Sequence, residues 1–411
     1  MPAISEVSNT SSLRSLLPST SSKHRDNASL IVPISVDTHA ANRDDQLRQV
    51  ARTICPFLTE DRENMAEVSV NDGGKASELK VAPLLGGLSN QLFILSKSGV
   101  PSVLVRIHPP ETSTTAMLDR EVENRLVAWL SQERMAPIFY GRFQNGRVEE
   151  LYPNVAPLTA TEMIPYGPKI AKALAEFHSL EAPASVLPKP PANGIPNRFE
   201  TVDQWVQAIQ NPSSPHAAFL QRLQSEWEWL RAQLLSEPST RSPVQAKALQ
   251  FIREVVVTHM DGQSLNILKD STSSNGHGSI RLIDFEYAGW NPRVADLANT
   301  FCEHCDMNNI CADYEAEYPS EAVQDAFLNA YLQQSEADLE AYSNEERKEI
   351  LQTLRSEIGR FTLLSHLGWA AWSVVMLMEG SAIDFDYMAY AKHRMDGYEF
   401  GKKRFFSERE C

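Results

Sequence analysis

Two short apolar stretches that end in acidic and amide side chains constrain this chain more than any other feature. The first, VVVTHMDGQSLNIL (residues 255–268), runs into a cluster of polar groups: His259, Asp261, Gln263 and Asn266. The second, SIRLIDFE (residues 279–286), ends in Asp284 and Glu286. Both stretches have the apolar, β-branched character of buried strands. We expect them to pair through the intervening turn, which would bring their acidic and amide groups to one end of a hairpin.

The spacing of these polar groups predicts phosphoryl-transfer chemistry. Carboxylate and amide oxygens suit Mg²⁺, which is commonly held by a few such ligands together with nucleotide phosphates. An aspartate shortly before an asparagine can accept the proton of a substrate hydroxyl, as in the H-x-D-x4-N … D arrangement of kinases. The first half of this pattern is weak alone, because acids also end ordinary strands. The second half, IDFEYAGWNPRVADLANTFCE, is far more distinctive.

Residues 79–153 predict a small lobe of antiparallel strands with one helix. Strand-like segments here alternate with glycine-containing turns, and Asn145-Gly146 is a strong hairpin signal. Apolar periodicity predicts a helix over residues 115–133. The turn GGLSN, residues 86–90, would expose backbone N–H groups that can cover phosphates.

A basic residue and an acidic residue of this lobe are candidates for an ion pair. Arg106 ends the third predicted strand, where kinases place the base that pairs with nucleotide phosphates. Glu123 lies on the following helix and could pair with Arg106. The alternative for Glu123 is a solvated helix face, since Glu121 is a near neighbour.

The remaining segments complete the predicted organisation. Residues 1–40 are rich in serine and threonine without periodicity, which predicts disorder, and residues 41–78 begin with a helical pattern. Residues 154–411 predict a larger, mostly helical lobe. Its longest apolar run, residues 363–378, carries Ser and His and is shorter than the ~20 residues of a membrane span, so we expect a buried core helix rather than membrane insertion.

Composition limits the partners of the chain. A formal charge of −15 over 411 residues argues against nucleic acid and anionic membrane surfaces, since both select basic proteins. Five cysteines are too few for a disulfide framework, which favours a reducing compartment and hence the cytoplasm. The cluster CEHCDMNNIC, residues 302–311, is better explained by buried thiols than by zinc. A homodimer is left open.

Motifs distributed over residues 80–400 resemble the choline/ethanolamine kinase family. They include GGLSNQLF, VLVRIHP, DREVE, YGRFQNGRVEELYP, HMDGQSLNIL, LIDFEYAGWNPRVADLANTFCE, SHLGWAAWS and IDFDYMAYAKHRMDGY, in the order typical of that family. The resemblance implies an α+β, bilobal protein-kinase-like fold with a small antiparallel-sheet N-lobe and a mostly helical C-lobe. It also implies ATP- and Mg²⁺-dependent phosphorylation of an amino-alcohol hydroxyl.

The resemblance also implies roles for individual residues. Asp261 would be the catalytic base, Asn266 and Asp284 would hold Mg²⁺, and Glu286 would lie nearby as a further metal group. The nucleotide site would comprise Ser89, Asn90, Arg106, Glu123 and the hinge residues Glu150, Leu151 and Tyr152. The acceptor pocket would comprise Asp261, Gln263, Glu303, Trp369, Trp372 and Tyr390.

The aromatic character of this pocket favours choline as the acceptor, with ethanolamine as a weaker alternative. A quaternary ammonium cannot donate N–H hydrogen bonds and is bound through ring faces and carboxylates. An aminoglycoside would instead need a more acidic pocket. A catalytically inactive nucleotide-binding protein is disfavoured because no acid of the pattern is missing. The chain departs from the usual family residues at four positions: Met260, Leu265, Thr300 and Asn308.

Overall fold

The small N-terminal lobe is built on one six-stranded sheet. The computed structural model describes residues 30–59, 79–84, 90–109, 119–189, 195–270, 279–305, 313–335, 341–380 and 385–406. The strands of the sheet are β1 (Ile31–Val32), β2 (Lys80–Leu84), β3 (Gln91–Ser96), β4 (Val103–Ile107), β5 (Phe139–Phe143) and β6 (Gly146–Glu150). Their order is β1-β5-β6-β4-β3-β2, and all neighbours except the parallel pair β1–β5 are antiparallel.

The first strand corrects the predicted extent of the disordered N-terminal extension. Ile31 and Val32 pair with Arg142 and Phe143, and Val36 is buried in the N-lobe core. Residues 30–40 therefore belong to the lobe, whereas residues 1–29 lie outside the described part of the chain. Short apolar β-branched segments among polar residues carry little periodicity, so the sequence gives little sign that this strand would find an edge to pair with.

Two helices pack with the N-lobe sheet. The helix α1 (Arg43–Ile54) buries Leu47, Val50 and Ala51, as the helical pattern near residue 44 predicts. The helix α2 (Arg120–Gln132) starts at Asp119, whose carboxylate accepts hydrogen bonds from the N–H groups of Glu121 and Val122. It confirms the later part of the helix predicted over residues 115–133; residues 115–118 are not described.

The larger lobe is mostly helical and surrounds one long central helix. Its helices are α3 (Met163–His178), α4 (Asn197–Ala208), α5 (Ala217–Leu235), α6 (Pro243–Ile252), α7 (Arg293–Cys302), α8 (Tyr314–Glu317), α9 (Glu321–Gln334), α10 (Asn344–Glu379) and α11 (Tyr387–Phe406). Length and composition would allow α10 to cross a membrane, but 83% of its most apolar window is buried inside the protein. The predicted core helix over residues 363–378 is thus confirmed.

Five short strands in the larger lobe carry the polar motifs. They are β7 (Val155–Pro157), β8 (Val255–Thr258), β9 (Ile267–Asp270), β10 (Ile280–Leu282) and β11 (Gly289–Pro292). The predicted pairing of β8 with β10 is wrong: β8 pairs with β11, and β10 pairs with β9, which also pairs with β7. The strand β9 follows the loop after β8 and is therefore nearer to β10 in sequence than β8 is. Pairing β10 with β9 closes a shorter loop and costs less entropy.

Candidate active site

A buried aspartate that the sequence reading did not single out positions the loop after β8. Asp296, in the first turn of α7, accepts hydrogen bonds from the backbone N–H groups of His259 (2.7 Å) and Met260 (2.8 Å). His178 Nε2 lies 2.9 Å from the same carboxylate. Burial opposes ionisation of Asp296, but the hydrogen bond and the charge interaction with His178 outweigh it, so its pKa lies below the usual value. The sequence signal was an acid within the buried segment VADLANTF.

The side chain of His259 joins the loop to the strand that carries the second acidic pair. Its Nε2 donates to the carbonyl of Ile283 (2.9 Å), and its Nδ1 accepts from the N–H of Asp261 (3.2 Å). Complete burial lowers the pKa of His259. The imidazole is therefore the neutral tautomer that both hydrogen bonds require, and it couples the position of Asp261 to that of Asp284.

The residue before Asp261 has an unfavourable backbone conformation. Met260 has φ of 64°, in the left-handed region where non-glycine residues other than Asn and Asp are disfavoured by about 1–2 kcal/mol. Asn tolerates this conformation, which gives a physical reason why the family that these motifs resemble usually has Asn at this position. Gly262 is also restricted, because a Cβ at this position would lie 2.6 Å from Thr300 Oγ1.

The proposed base lies at the centre of a cluster of like charges. Asp261 Oδ2 accepts hydrogen bonds from Asn266 Nδ2 (2.7 Å) and Gln263 Nε2 (3.3 Å). Burial is the largest cause of its raised pKa, and the carboxylates of Glu303, Asp284 and Glu286 raise it further. Such a carboxylate can take up a proton readily, as a general base at neutral pH requires.

The side chains predicted to hold Mg²⁺ fit a hard cation. Asn266 donates its amide nitrogen to Asp261, which leaves its carbonyl oxygen as the atom for a cation. Asp284 is 24% exposed, and its Oδ1 lies 3.1 Å from Arg106 Nη1. A divalent cation among these groups would also offset the mutual repulsion of the acidic cluster around Asp261. Among the described residues, no three His, Cys, Asp or Glu side chains are grouped closely enough to form a metal site by themselves.

The ion pairs of the N-lobe differ from the prediction. Glu123 does not pair with Arg106: its carboxylate contacts Arg120 Nη1 and Arg147 Nη1, both at 2.6 Å. Arg106 instead contacts Asp284 and, at 3.7 Å, Glu149. The reason is the register of β4 and β6, which places Arg147 directly opposite Arg106. Arg147 thus pairs with Glu123 of α2, and Arg106 pairs with Asp284 of the C-lobe instead.

Glu286, which was predicted to lie near Mg²⁺, forms hydrogen bonds to side chains of the N-lobe. Its Oε2 accepts from Arg120 Nη1 (3.0 Å) and from Asn90 Nδ2 (3.2 Å). Asn90 Oδ1 lies 3.1 Å from His108 Nδ1. The side chain of Asn90 therefore links the lobes, whereas its predicted position over phosphates stays a prediction. Ser89 lies outside the described residues.

The connection between the lobes follows β6, where the hinge was predicted. Glu150 ends this strand, and its carboxylate accepts from the N–H of Ile138 (3.1 Å). Leu151 and Tyr152 follow and lead into β7. The guanidinium of Arg281 lies 4.6 Å from the centre of the Tyr152 ring. The adenine-binding role of these three residues stays a prediction.

Aromatic rings meet at the predicted acceptor pocket. The ring centres of Trp369 and Trp372 are 5.6 Å apart at an interplanar angle of 84°. Tyr287, which the sequence reading did not single out, lies 5.1 Å from Trp369, and Trp369 Nε1 donates to Asn299 Oδ1 (2.8 Å). Burial raises the pKa of Tyr390, and the charges of Arg394, Glu303 and Asp261 also act on it, so this tyrosine faces the same region.

The carboxylate of Glu303, another predicted pocket residue, forms an ion pair with a buried arginine. Its Oε1 accepts from Arg394 Nη1 at 3.1 Å, and Arg394 is fully buried. The charge of Glu303 also raises the pKa of Asp261. Asn308 lies outside the described residues.

Comparison with known proteins identifies the relatives of this chain. A family model described as choline/ethanolamine kinase matches residues 81–399. The human "Choline/ethanolamine kinase" is 31% identical over 341 residues, covering 78% of this chain and 80% of the relative. "Probable choline kinase 2" of Arabidopsis thaliana is 28% identical over 352 residues, covering 81% and 88%.

A solved structure shares the bilobal fold. It is a choline kinase from Cryptosporidium parvum, which superimposes with a TM-score of 0.68 at 24% identity and covers 89% of this chain and 97% of its own. The sheet-rich N-lobe and the mostly helical C-lobe are both present in this chain. Taken with the match over residues 81–399, they show that the chain belongs to the choline/ethanolamine kinase family.

Proposed function

We propose that the protein transfers the γ-phosphoryl group of ATP to the hydroxyl of choline, giving phosphocholine and ADP. The observation that carries this proposal is the buried carboxylate of Asp261, which accepts hydrogen bonds from Asn266 and Gln263 and whose pKa is raised by burial. The carboxylate takes the hydroxyl proton as the oxygen attacks the γ-phosphorus, and ADP leaves. Mg²⁺, held by Asn266 and Asp284 with Glu286 further out, would supply charge neutralisation on the phosphates.

Choline is favoured over ethanolamine by the hydrogen-bonding inventory of the pocket. A primary ammonium has three N–H donors that need acceptors, whereas a trimethylammonium needs ring faces and carboxylates. Trp369, Trp372 and Tyr287 offer rings, and Glu303 already accepts from Arg394. Phosphocholine made in the cytoplasm would enter CDP-choline phospholipid synthesis as its first intermediate. Ethanolamine phosphorylation is the alternative.

Replacing Trp369 with leucine is expected to lower kcat/KM for choline about 2- to 30-fold, because one cation–π contact contributes about 0.5–2 kcal/mol. Ethanolamine should lose less, since it depends less on ring faces. The measurement is ADP release with each alcohol, with Mg²⁺ and with excess chelator. Trp227→Leu is the matched control, because it removes another buried tryptophan whose Nε1 donates to a carboxylate, that of Asp203 (2.6 Å).

Three outcomes would contradict the proposal: better turnover of ethanolamine by the wild type, an unchanged choline rate in Trp369→Leu, or full activity in chelator. A similar fall in the control would show that the effect is structural rather than specific to the pocket.

The raised pKa of Asp261 predicts a pH dependence that a neighbouring charge can shift. We expect kcat/KM to rise with pH through a limb above the ordinary aspartate value of about 3.9, because the base must be ionised. Glu303→Gln removes one cause of the raised pKa, so this limb should move to lower pH. Comparing two variants with the same ATP cancels titration of the nucleotide.

Glu399→Gln is the matched control for this shift, because Glu399 pairs with Arg222 on the surface. It should leave the limb in place. A limb that stays in place in Glu303→Gln, or moves to higher pH, would rule out Asp261 as the titrating group.

A further inference from the structure

The guanidinium of Arg198 is buried against two tryptophan rings and has no hydrogen-bond partner in the described part of the chain. Arg198 lies in the first turn of α4 and is 3% exposed. Its guanidinium lies 4.6 Å from the ring centre of Trp369 and 4.9 Å from that of Trp205. Its Nε, Nη1 and Nη2 have no hydrogen-bond partner among the residues that the structure describes.

This arrangement is costly unless a ligand completes it. A guanidinium offers five N–H donors, and buried donors without acceptors are destabilising. Burial lowers the pKa of Arg198 to about 10, so the group is still a cation at neutral pH. Stacking on Trp205 and Trp369 offsets part of the cost through the ring faces, but it leaves the in-plane N–H groups unmatched.

Arg198 contacts one residue of the predicted acceptor pocket. It shares Trp369 with the predicted cage, and the charges of Asp261, Tyr287 and Tyr390 all act on it. It also lines a cavity of about 260 Å³ together with Tyr287 and Thr201. The guanidinium therefore lies against Trp369, one of the rings that would receive the ammonium group.

The carboxylates near this position already have partners or another task. Glu303 accepts from Arg394, and Glu286 accepts from Arg120. Asp261 is needed to take the hydroxyl proton. These carboxylates therefore do not supply acceptors for the N–H groups of Arg198, and a ligand carboxylate would supply them.

We propose that Arg198 forms an anion subsite within the acceptor pocket and holds the carboxylate of a zwitterionic hydroxy-amine. This rests on the proposed function, because it names a class of acceptor for the same site. Such an acceptor has its hydroxyl at Asp261, its ammonium group at the rings and its carboxylate at the guanidinium fork, which matches a carboxylate with two N–H···O bonds. Choline lacks the carboxylate and brings a second cation close to Arg198.

Two matched pairs of alcohols test the subsite, because each pair differs only by a carboxylate. The first pair is ethanolamine and L-serine, and the second is choline and N,N,N-trimethyl-L-serine. Each compound is assayed for phosphorylation and for competitive inhibition against choline in the wild type, Arg198→Leu and Arg198→Lys. Lys402→Met is the control, because it removes a different cation held over a tryptophan, 4.1 Å from the ring of Trp229 and outside the pocket.

In the wild type, the carboxylated member of each pair is expected to be turned over or to inhibit competitively. Arg198→Leu should weaken the binding of this compound about 10- to 100-fold, which is the effect of losing a charge-assisted hydrogen bond. The same substitution should change kcat/KM for choline less than it changes the binding of the carboxylated compounds, since choline has no carboxylate to lose. Arg198→Lys should restore part of the binding. Lys402→Met should leave the binding of both compounds of each pair unchanged.

Several results would overturn the subsite. One is a wild type that neither phosphorylates nor binds the carboxylated compounds. Another is an Arg198→Leu variant that loses equally with all four compounds, which would indicate contact with the transferred phosphoryl group or a structural role. Calorimetric binding of the four compounds to the enzyme with ADP and Mg²⁺ separates this from the proposed function. Absence of any phosphorylation would defeat that function, whereas the carboxylate-dependent binding would still decide the role of Arg198.

Discussion

Asp261→Asn is expected to lower turnover about 10²- to 10⁴-fold while the protein stays folded and binds nucleotide, because the substitution removes the general base alone. The amide is nearly isosteric with the carboxylate but cannot accept the hydroxyl proton. Asn266 Nδ2 can still donate to the amide oxygen at position 261, so the geometry of the loop should survive. The measurements are single-turnover phosphorylation of choline and calorimetric titration with ATP and Mg²⁺.

The same substitution should not lower the melting temperature at pH 7. The pKa of Asp261 is raised in the folded protein, so its contribution to stability is greatest below the unfolded value of about 3.9 and is lost as pH rises through the folded pKa. Above the folded pKa, the ionised carboxylate opposes folding in the absence of ligand. The neutral amide of Asp261→Asn removes that buried charge, and we expect unchanged or higher stability.

Loss of turnover without loss of stability separates catalysis from structure at this residue. Asp203→Asn is the control, because Asp203 also accepts a hydrogen bond, from Trp227, but lies outside the pocket. It should retain activity. Near wild-type turnover in Asp261→Asn would contradict the role of Asp261, and a marked fall in melting temperature would contradict the charge argument.

The sequence was most informative where function restricts residue type and spacing together. Asp261, Gln263 and Asn266 lie within one loop of six residues, and the structure brings their side chains into hydrogen-bond contact. The hairpin around Asn145-Gly146 was also predictable from residue type, and Gly146 is required there because a Cβ would lie 2.1 Å from the carbonyl oxygen of Arg106. Short-range patterns of this kind carry their geometry within a few residues.

Long-range pairings were harder to predict because several partners of the same type compete. Glu123 could meet any of three arginines, and the register between β4 and β6 decided in favour of Arg147 and Arg120. The pairing of β8 with β11 was missed for the same reason, since β10 and β11 are both short apolar segments near in sequence. Arg198 gave no signal at all, because its role depends on rings contributed by two different helices, at Trp205 and Trp369.

The second large effect is expected at Asp296, which supports the catalytic loop without touching substrate. Asp296→Ala removes the acceptor for the N–H groups of His259 and Met260 and the partner of His178. Each buried donor left unsatisfied costs about 1–3 kcal/mol, so we expect a loss of about 4 kcal/mol or more in the free energy of unfolding. Turnover should also fall, because the loop that carries Asp261 loses its anchor.

The pH dependence of this loss distinguishes Asp296 from an ordinary core residue. Its pKa is lowered in the folded protein, so its stabilising contribution is present above about pH 3.9 and is lost as pH falls through the folded pKa. The stability difference between wild type and Asp296→Ala, measured by denaturant unfolding, should therefore shrink in acid. Asp203→Ala is the control, because the half-exposed Asp203 should give a much smaller loss at every pH. If Asp296→Ala unfolded with the wild-type free energy, or if Asp261→Asn destabilised the protein as much, the loop would not depend on this carboxylate. Either result would contradict the expectation that Asp261→Asn loses turnover alone whereas Asp296→Ala loses both turnover and stability.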